Sequence, residues 1–432
     1  MTAAPKSSLF RKILHTFVIL LFGQGSTIAA GIATARAYGP DGKGVIALTW
    51  VLLGFALAAA EGVREAISYQ IGREKLEPHA VWHTALRVLA VTSFAGTAVL
   101  VAIWLVSGKS AYAYAAAAFP FAVYVQAAGM LYVLRDRVEK INVQNAATIG
   151  GGTSIITLGL VLIFHAPLWV MLSAWVGTYV AAALWAATGV PEMLGTEPAG
   201  DPRGLWREQV VFGSKVALSA TITLLALRVD VFIISALLSP AVLGIYTLAL
   251  ASAEATWNVS RAALWSAAGR IATLDFHDSA ALCARLARSL VAVQLGAGIA
   301  LFVCGPWLID HVYGARFHDS GRALRLLLPG AVFYSADGVL SNFISVRAAR
   351  PGLLLMFECI TLVLIAGITF VTISRLGVYA GALAHSTAFL ISYMLKTTVF
   401  VRLTGMTAWD VLIPRLSDLP QALRVRRLAP KV

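Results

Sequence analysis

The chain has 432 residues, of which 59% are hydrophobic and 13% charged, too few charges to clothe a water-soluble domain of this length. Lipid tolerates no unpaired backbone groups, so the long apolar runs specify helices and exclude the short alternating strands of a membrane barrel. The net charge of +13 is scattered between apolar runs and is not gathered into an aromatic-interleaved patch, which argues against a nucleic-acid partner.

Apolar runs of about twenty residues, the length needed to cross a bilayer, place twelve spans. They lie near 14–36, 45–67, 84–106, 112–134, 145–165, 166–188, 212–238, 241–265, 286–309, 323–346, 352–374 and 377–400. The first follows Lys6, Arg11 and Lys12 and ends near Ala33-Thr34-Ala35, a weak match to a signal-peptidase site. Its apolar region is far longer than a signal peptide's, so it reads as a retained span. Tight turns at His165-Ala166-Pro167 and Ser239-Pro240 predict hairpins between spans five and six and between seven and eight.

Gly150-Gly151-Gly152 opens span five and predicts close helix packing or a hinge, not a phosphate loop. The polar stretch from Pro191 to Glu208, rich in proline and glycine, divides the chain six spans from six. The halves echo one another. Pro40-x3-Gly44 follows the first span as Pro240-x3-Gly244 follows the seventh, and Phe119-Pro120 in span four parallels Leu328-Pro329 in span ten. A parallel repeat of this kind places a substrate path between two lobes. The expected fold is therefore an all-α membrane protein of about twelve transmembrane helices in two six-helix lobes around a central cavity. Its divisions are an N-terminal lobe (1–190), a cytoplasmic linker (191–208), a C-terminal lobe (209–403) and a basic tail (404–432).

Most of the 34 Lys and Arg fall on the side that holds both termini; the other side has Arg36, Lys43, Lys109, Arg316, Arg322, Arg325 and Arg375. The positive-inside rule then puts both ends in the cytoplasm. Arg424, Arg426, Arg427 and Lys431 in the tail suit the anionic inner leaflet, making membrane lipids one partner.

Charges within spans are costly and mark candidate functional groups. Arg228 and Asp230 sit inside span seven, too close in sequence to share a helix face, so each must face a partner of its own or water. On span eight, Glu254, Asn258 and Arg261 fall at i, i+4 and i+7 and predict one polar stripe beside Trp257, either lining a cavity or locking the span to a neighbour. Glu61, Arg64 and Glu65 cluster near the end of span two as a snorkelled surface set. Asp337 with Tyr334, Ser341 and Ser345 forms a broad polar face on span ten. Asp337, Glu358, Glu254 and Asp230 are candidates for binding a coupling ion, with a structural hydrogen-bonded role as the alternative for each. Lys396 lies in span twelve. Cys283, Cys304 and Cys359 and the dispersed histidines His15, His83, His165 and His385 offer no ligand spacing, so no metal and no cofactor are expected.

Four segments carry a resemblance through most of the chain: ARAYGPDGKGVIAL (35–48), RVDVFIISALLSPAVLGIYTLA (228–249), YGARFHDSGRALRLLLPG (313–330) and RLGVYAGALAHS (375–386). They resemble the polysaccharide flippase branch of the multidrug, oligosaccharidyl-lipid and polysaccharide exporter superfamily. The resemblance implies alternating access and transfer of an undecaprenyl-diphosphate-linked oligosaccharide across a bacterial cytoplasmic membrane, with glycan polymerases or glycosyltransferases as partners. For such an anionic lipid-linked glycan, Arg228, Arg261, Asn258 and Lys396 are the candidate contacts, because guanidinium and ammonium groups donate to phosphate.

The same resemblance admits a multidrug cation antiporter. Drug exporters of the superfamily carry an essential acid in the first span, whereas this one has Gln24, Ser26 and Thr27 there and no carboxylate. A membrane glycosyltransferase or polymerase would need a large outer loop with catalytic acids; the segment from Asp310 to Arg322 is short and has Asp310 and Asp319 alone. No enzyme activity is expected.

Overall fold

The computed structural model describes residues 6–148, 151–194 and 204–413, and the side chains of most of them from Phe22 onward. Among the described residues it is helical throughout, with short π-helical and 3-10 turns and no strand. The helices are α1 (Lys6–Ile67), α2 (Pro78–Ser107), α3 (Ser110–Leu134), α4 (Val138–Thr148), α5 (Gly151–Leu158), α6 (Leu168–Leu194), α7 (Leu205–Leu237), α8 (Pro240–Glu254), α9 (Trp257–Thr273), α10 (Phe276–Tyr313), α11 (His318–Asn342), α12 (Pro351–Leu376), α13 (Tyr379–Thr404) and α14 (Trp409–Leu412).

Eight of these are long and apolar enough to cross a membrane. The first of them bends at Gly39, whose φ of 65° is open to glycine and strained for other residues, and Pro40 starts the second arm. The two arms make two spans. α4 and α5, on either side of residues 149–150, which lie outside the described part, fall in predicted span five; α8 and α9 are one predicted span interrupted by a turn, and α13 has 26 residues. A described helix or helix pair thus overlies each of the twelve predicted spans. Ser239 caps α8 by accepting from the Val242 amide, with Pro240 in its first turn, and the short His165 turn precedes α6.

Three of the predicted local features lie at or beyond the edge of the described residues. α6 runs through Pro191 to Leu194 and α7 begins at Leu205, so the linker's edges are helical; residues 195–203 lie outside the described part. Gly150 also lies outside it, between α4 and α5. The tail does not leave the protein at 404: α14 docks on α10, with Arg288 donating to the Asp410 carbonyl and Val411 fully buried. The basic cluster Arg424 to Lys431 lies outside the described residues.

The chain divides into two compact units, residues 1–224 and 225–432, with the division falling within α7. In the first, α3 is the most buried span and α2 the least; in the second, α11 and α12 hold those places. Both central helices carry an internal proline, Pro120 and Pro329. The outer faces of α2 and α12 are apolar and exposed, at Val91, Phe94, Leu105 and Val106 and at Val363, Phe370 and Val371. This is the inverse of a soluble surface and suits lipid.

Small residues set the close approaches in the first unit. Ala111, Ala115, Ala118 and Ala122 form one buried face of α3. Gly62 of α1 faces Gly213 of α7 so tightly that a Cβ on Gly62 would lie 2.2 Å from the Gly213 carbonyl oxygen. Tyr69 and Phe212 stack beside this contact, ring centroids 5.1 Å apart. Gly62→Val is therefore expected to destabilise the protein by about 3 kcal/mol, read as a lower melting temperature in detergent. An unchanged melting temperature would mean that the helices do not meet there. At the end of α6, Arg135 donates to the Met193 carbonyl at 2.9 Å, and Lys140 and Arg137 bind Glu192 at 2.5 and 3.2 Å. Cations at a helix C-terminus satisfy carbonyls that have no partner within the helix.

In the second unit, a core of α10, α11 and α13 residues gathers around Leu340, Phe343, Tyr393 and Phe400. Gly330 of α11 lies against Ser386 of α13, where a Cβ would come within 2.5 Å of the Ser386 Cα, and its amide donates to Ser386 Oγ at 3.1 Å. This close seam between α11 and α13 brings their polar faces together.

Candidate functional site

The buried charges of the second unit form two ion-paired sets and an aspartate–tyrosine–histidine set. Arg228, one-fifth exposed, makes a two-pronged ion pair with Glu254 of α8; the Nη2 to Oε2 bond is 2.9 Å. A planar guanidinium matched to a carboxylate is the strong form of this interaction. The expectation that Arg228 and Asp230 take separate partners is met by the geometry.

Asp230, fully buried, accepts from Tyr246 Oη, and His385 Nδ1 lies 3.2 Å from that hydroxyl and 3.4 Å from Asp230 Oδ2. α7, α8 and α13 each contribute one of these three residues. Gly381 makes the arrangement feasible, since a Cβ there would sit 2.9 Å from the Tyr246 ring. Tyr246→Phe removes the donor from a buried carboxylate. It is expected to cost about 1–3 kcal/mol, seen as a lower melting temperature; no change would show that Asp230 does not depend on this hydroxyl.

The third set joins α11, α12 and α13. Lys396, 1% exposed, donates to Asp337 at 2.6 Å and to Glu358 at 3.3 Å. Asp337 also accepts from Ser392 at 3.2 Å and Ser341 at 3.3 Å. Between the sets stands an aromatic cluster, with Tyr334 4.3 Å from Trp257 and 4.4 Å from Phe389, and Phe389 5.0 Å from His385 (ring centroids).

The predicted stripe on span eight crosses a short turn at which the backbone stays in the right-handed helical region. The turn is at Ala255 and Thr256, so Glu254 ends α8 while Asn258 and Arg261 lie on α9, both exposed. Gln294 of α10 holds the break by donating to the Thr256 carbonyl at 2.6 Å and to Ser260 at 3.1 Å. A side-chain amide supplies the partner that an interrupted ladder leaves wanting. Glu254 faces Arg228, and among the described residues Arg261 has no acid within ion-pairing distance. Lys396 is held among carboxylates within the unit, and the Glu61, Arg64 and Glu65 set is half-exposed, with Arg64 bonded to both acids.

Tyr246, His385, Ser392, Phe389 and Gln294 were not singled out as site residues. His385, Phe389, Ser392 and Lys396 fall at i, i+4, i+7 and i+11, a single face of α13, and that spacing was the available signal. Tyr246 was legible as part of the Gly-x-Tyr turn in the segment 228–249, though not as a site residue, and Gln294 carried no local signal.

The described residues hold no group of three or more His, Cys, Asp or Glu placed to bind a metal. Fold and site together define a multi-pass α-helical membrane protein with buried, paired charges in its second unit. The chain belongs to the polysaccharide biosynthesis protein family, whose model matches residues 34–322. That segment contains Arg228, Asp230, Tyr246 and Glu254 and ends before Asp337, Glu358, His385 and Lys396.

Solved structures share the fold. The lipid II flippase MurJ in an inward closed conformation superposes with a TM-score of 0.71 at 9% identity, covering 95% of this chain and 91% of that one. An inward-facing multidrug resistance transporter of the MATE family, in the MOP superfamily, gives 0.65 at 15% identity, covering 88% and 95%. An outward-facing transporter of the same family gives 0.56 at 13% identity, covering 91% and 96%. The chain thus has the fold of MOP-superfamily transporters, as its motifs implied. No curated protein sequence matches it significantly.

Proposed function

We propose that this protein is a flippase that carries a lipid-diphosphate-linked oligosaccharide, or a related precursor of a cell-surface glycan, across a bacterial cytoplasmic membrane by alternating access. The observation that carries the reading is Arg228: an arginine within a span, one-fifth exposed, whose guanidinium is held in a two-pronged geometry that a phosphate could take over from Glu254. Membership of a polysaccharide biosynthesis family supports the substrate class. The exposed Arg261 and Asn258 on α9 would extend the contact surface. Both termini lie in the cytoplasm on this reading, and the enzymes that build or polymerise the glycan are its partners.

A multidrug cation antiporter is the second reading, favoured by the MATE fold and by the presence of Glu254, Asp337 and Glu358. Each of these acids is paired with a cation of the chain itself, which favours the anionic substrate. Native mass spectrometry of the purified protein separates the two. A short polyprenyl-diphosphate oligosaccharide should bind, while the same glycan on a neutral lipid and a cationic dye should not. Preferential binding of the dye would replace the flippase reading with the antiporter.

A further inference from the structure

The Lys396 set contains more negative charge than a structural ion pair requires. Lys396 and Asp337 alone would be neutral, yet Glu358 brings a second carboxylate to the same ammonium from a third helix. Two oxygens meet the ammonium, Asp337 Oδ2 at 2.6 Å and Glu358 Oε1 at 3.3 Å, and behind them Ser341 and Ser392 donate to the two oxygens of Asp337. Carboxylate and hydroxyl oxygens are the donors that hard cations prefer. An ammonium is a compact point charge and meets such donors much as an alkali ion does.

We propose that Lys396 is a built-in cation: its ammonium occupies an oxygen-lined site within the second unit that would otherwise hold a sodium ion. The site is occupied at all times by a group the chain cannot lose, so sodium has no place in it in the native protein. Removing the ammonium leaves the buried carboxylate of Asp337 and the one-fifth-exposed carboxylate of Glu358 without the cation they share. Such a pair is costly unless a cation returns. The proposal is independent of the transported substrate.

The test measures the melting temperature of purified Lys396→Met in detergent, in sodium chloride and in choline chloride at equal ionic strength. Sodium binding to the folded form raises the melting temperature in a saturable way. Lys396→Met should show a rise of several degrees with sodium, the native protein none, and Lys396→Met combined with Asp337→Asn little or none. If Lys396→Met cannot be purified in choline, the proposal requires its recovery when sodium is present throughout. Identical melting in both salts, or failure to recover the variant in either, overturns the proposal. Because no glycan enters this experiment, its failure is distinct from failure of the flippase reading.

Discussion

Arg228→Ala is expected to slow translocation of a lipid-diphosphate oligosaccharide by roughly ten- to a hundredfold, the loss of about 1.5–3 kcal/mol for a charge-assisted hydrogen bond. The physical reason is the exchange this residue must perform. At rest its two nitrogens are saturated by Glu254, and an arriving diphosphate must compete with that carboxylate. Glu254 thereby keeps Arg228 oriented and partly shielded without closing it off. Glu254→Gln weakens the competitor and leaves the arginine in place, so it should bind the substrate more tightly and turn over more slowly. Arg228→Lys keeps the charge but loses the planar fork and should fall between. A purely structural pair predicts another pattern, in which Arg228→Ala and Glu254→Gln lower the melting temperature alike and neither changes substrate affinity. Binding and flux measured together on the same three variants tell the two apart.

Asp337→Ala is expected to have the largest effect on folding. It takes the 2.6 Å partner from a lysine that is 1% exposed, leaving the ammonium with Glu358 at 3.3 Å and stripping Ser341 and Ser392 of their acceptor. Breaking a buried pair from one side costs about 3–5 kcal/mol, so the variant should be recovered poorly and melt well below the native protein. Combining Asp337→Ala with Lys396→Met removes both members of the closest pair and should restore much of that loss, because no unmatched ammonium remains. Equal melting temperatures for the single and double variants would show that charge matching is not what the site contributes. The contrast with Arg228 is one of exposure. Arg228 and Glu254 are each about one-fifth exposed, whereas Lys396 is 1% exposed among α11, α12 and α13.

Much of the fold was legible because lipid imposes a length rule that sequence obeys directly. The turns at Ser239-Pro240 and His165, and the break at Gly39-Pro40, could be read from the residues that make them. The site was legible as a set of costly residues and not as a set of pairs. Arg228 and Glu254 are 26 positions apart, Lys396 and Asp337 59, and Tyr246 and His385 139, and spacing along one helix is silent on partners supplied by another. The break at Ala255 and Thr256 had no proline or glycine to announce it, since neither residue is a strong helix breaker and the capping amide comes from Gln294 on another helix.

On the proposed function, the charged groups of this membrane protein serve an anionic, lipid-linked glycan. The most direct measurement reconstitutes the native protein in liposomes and follows, in parallel, the transbilayer movement of a fluorescent polyprenyl-diphosphate oligosaccharide and the accumulation of a cationic dye under an imposed ion gradient. Fast movement of the diphosphate lipid, reduced in Arg228→Ala, with no dye accumulation is the predicted result. Dye accumulation with no movement of the diphosphate lipid would contradict the account.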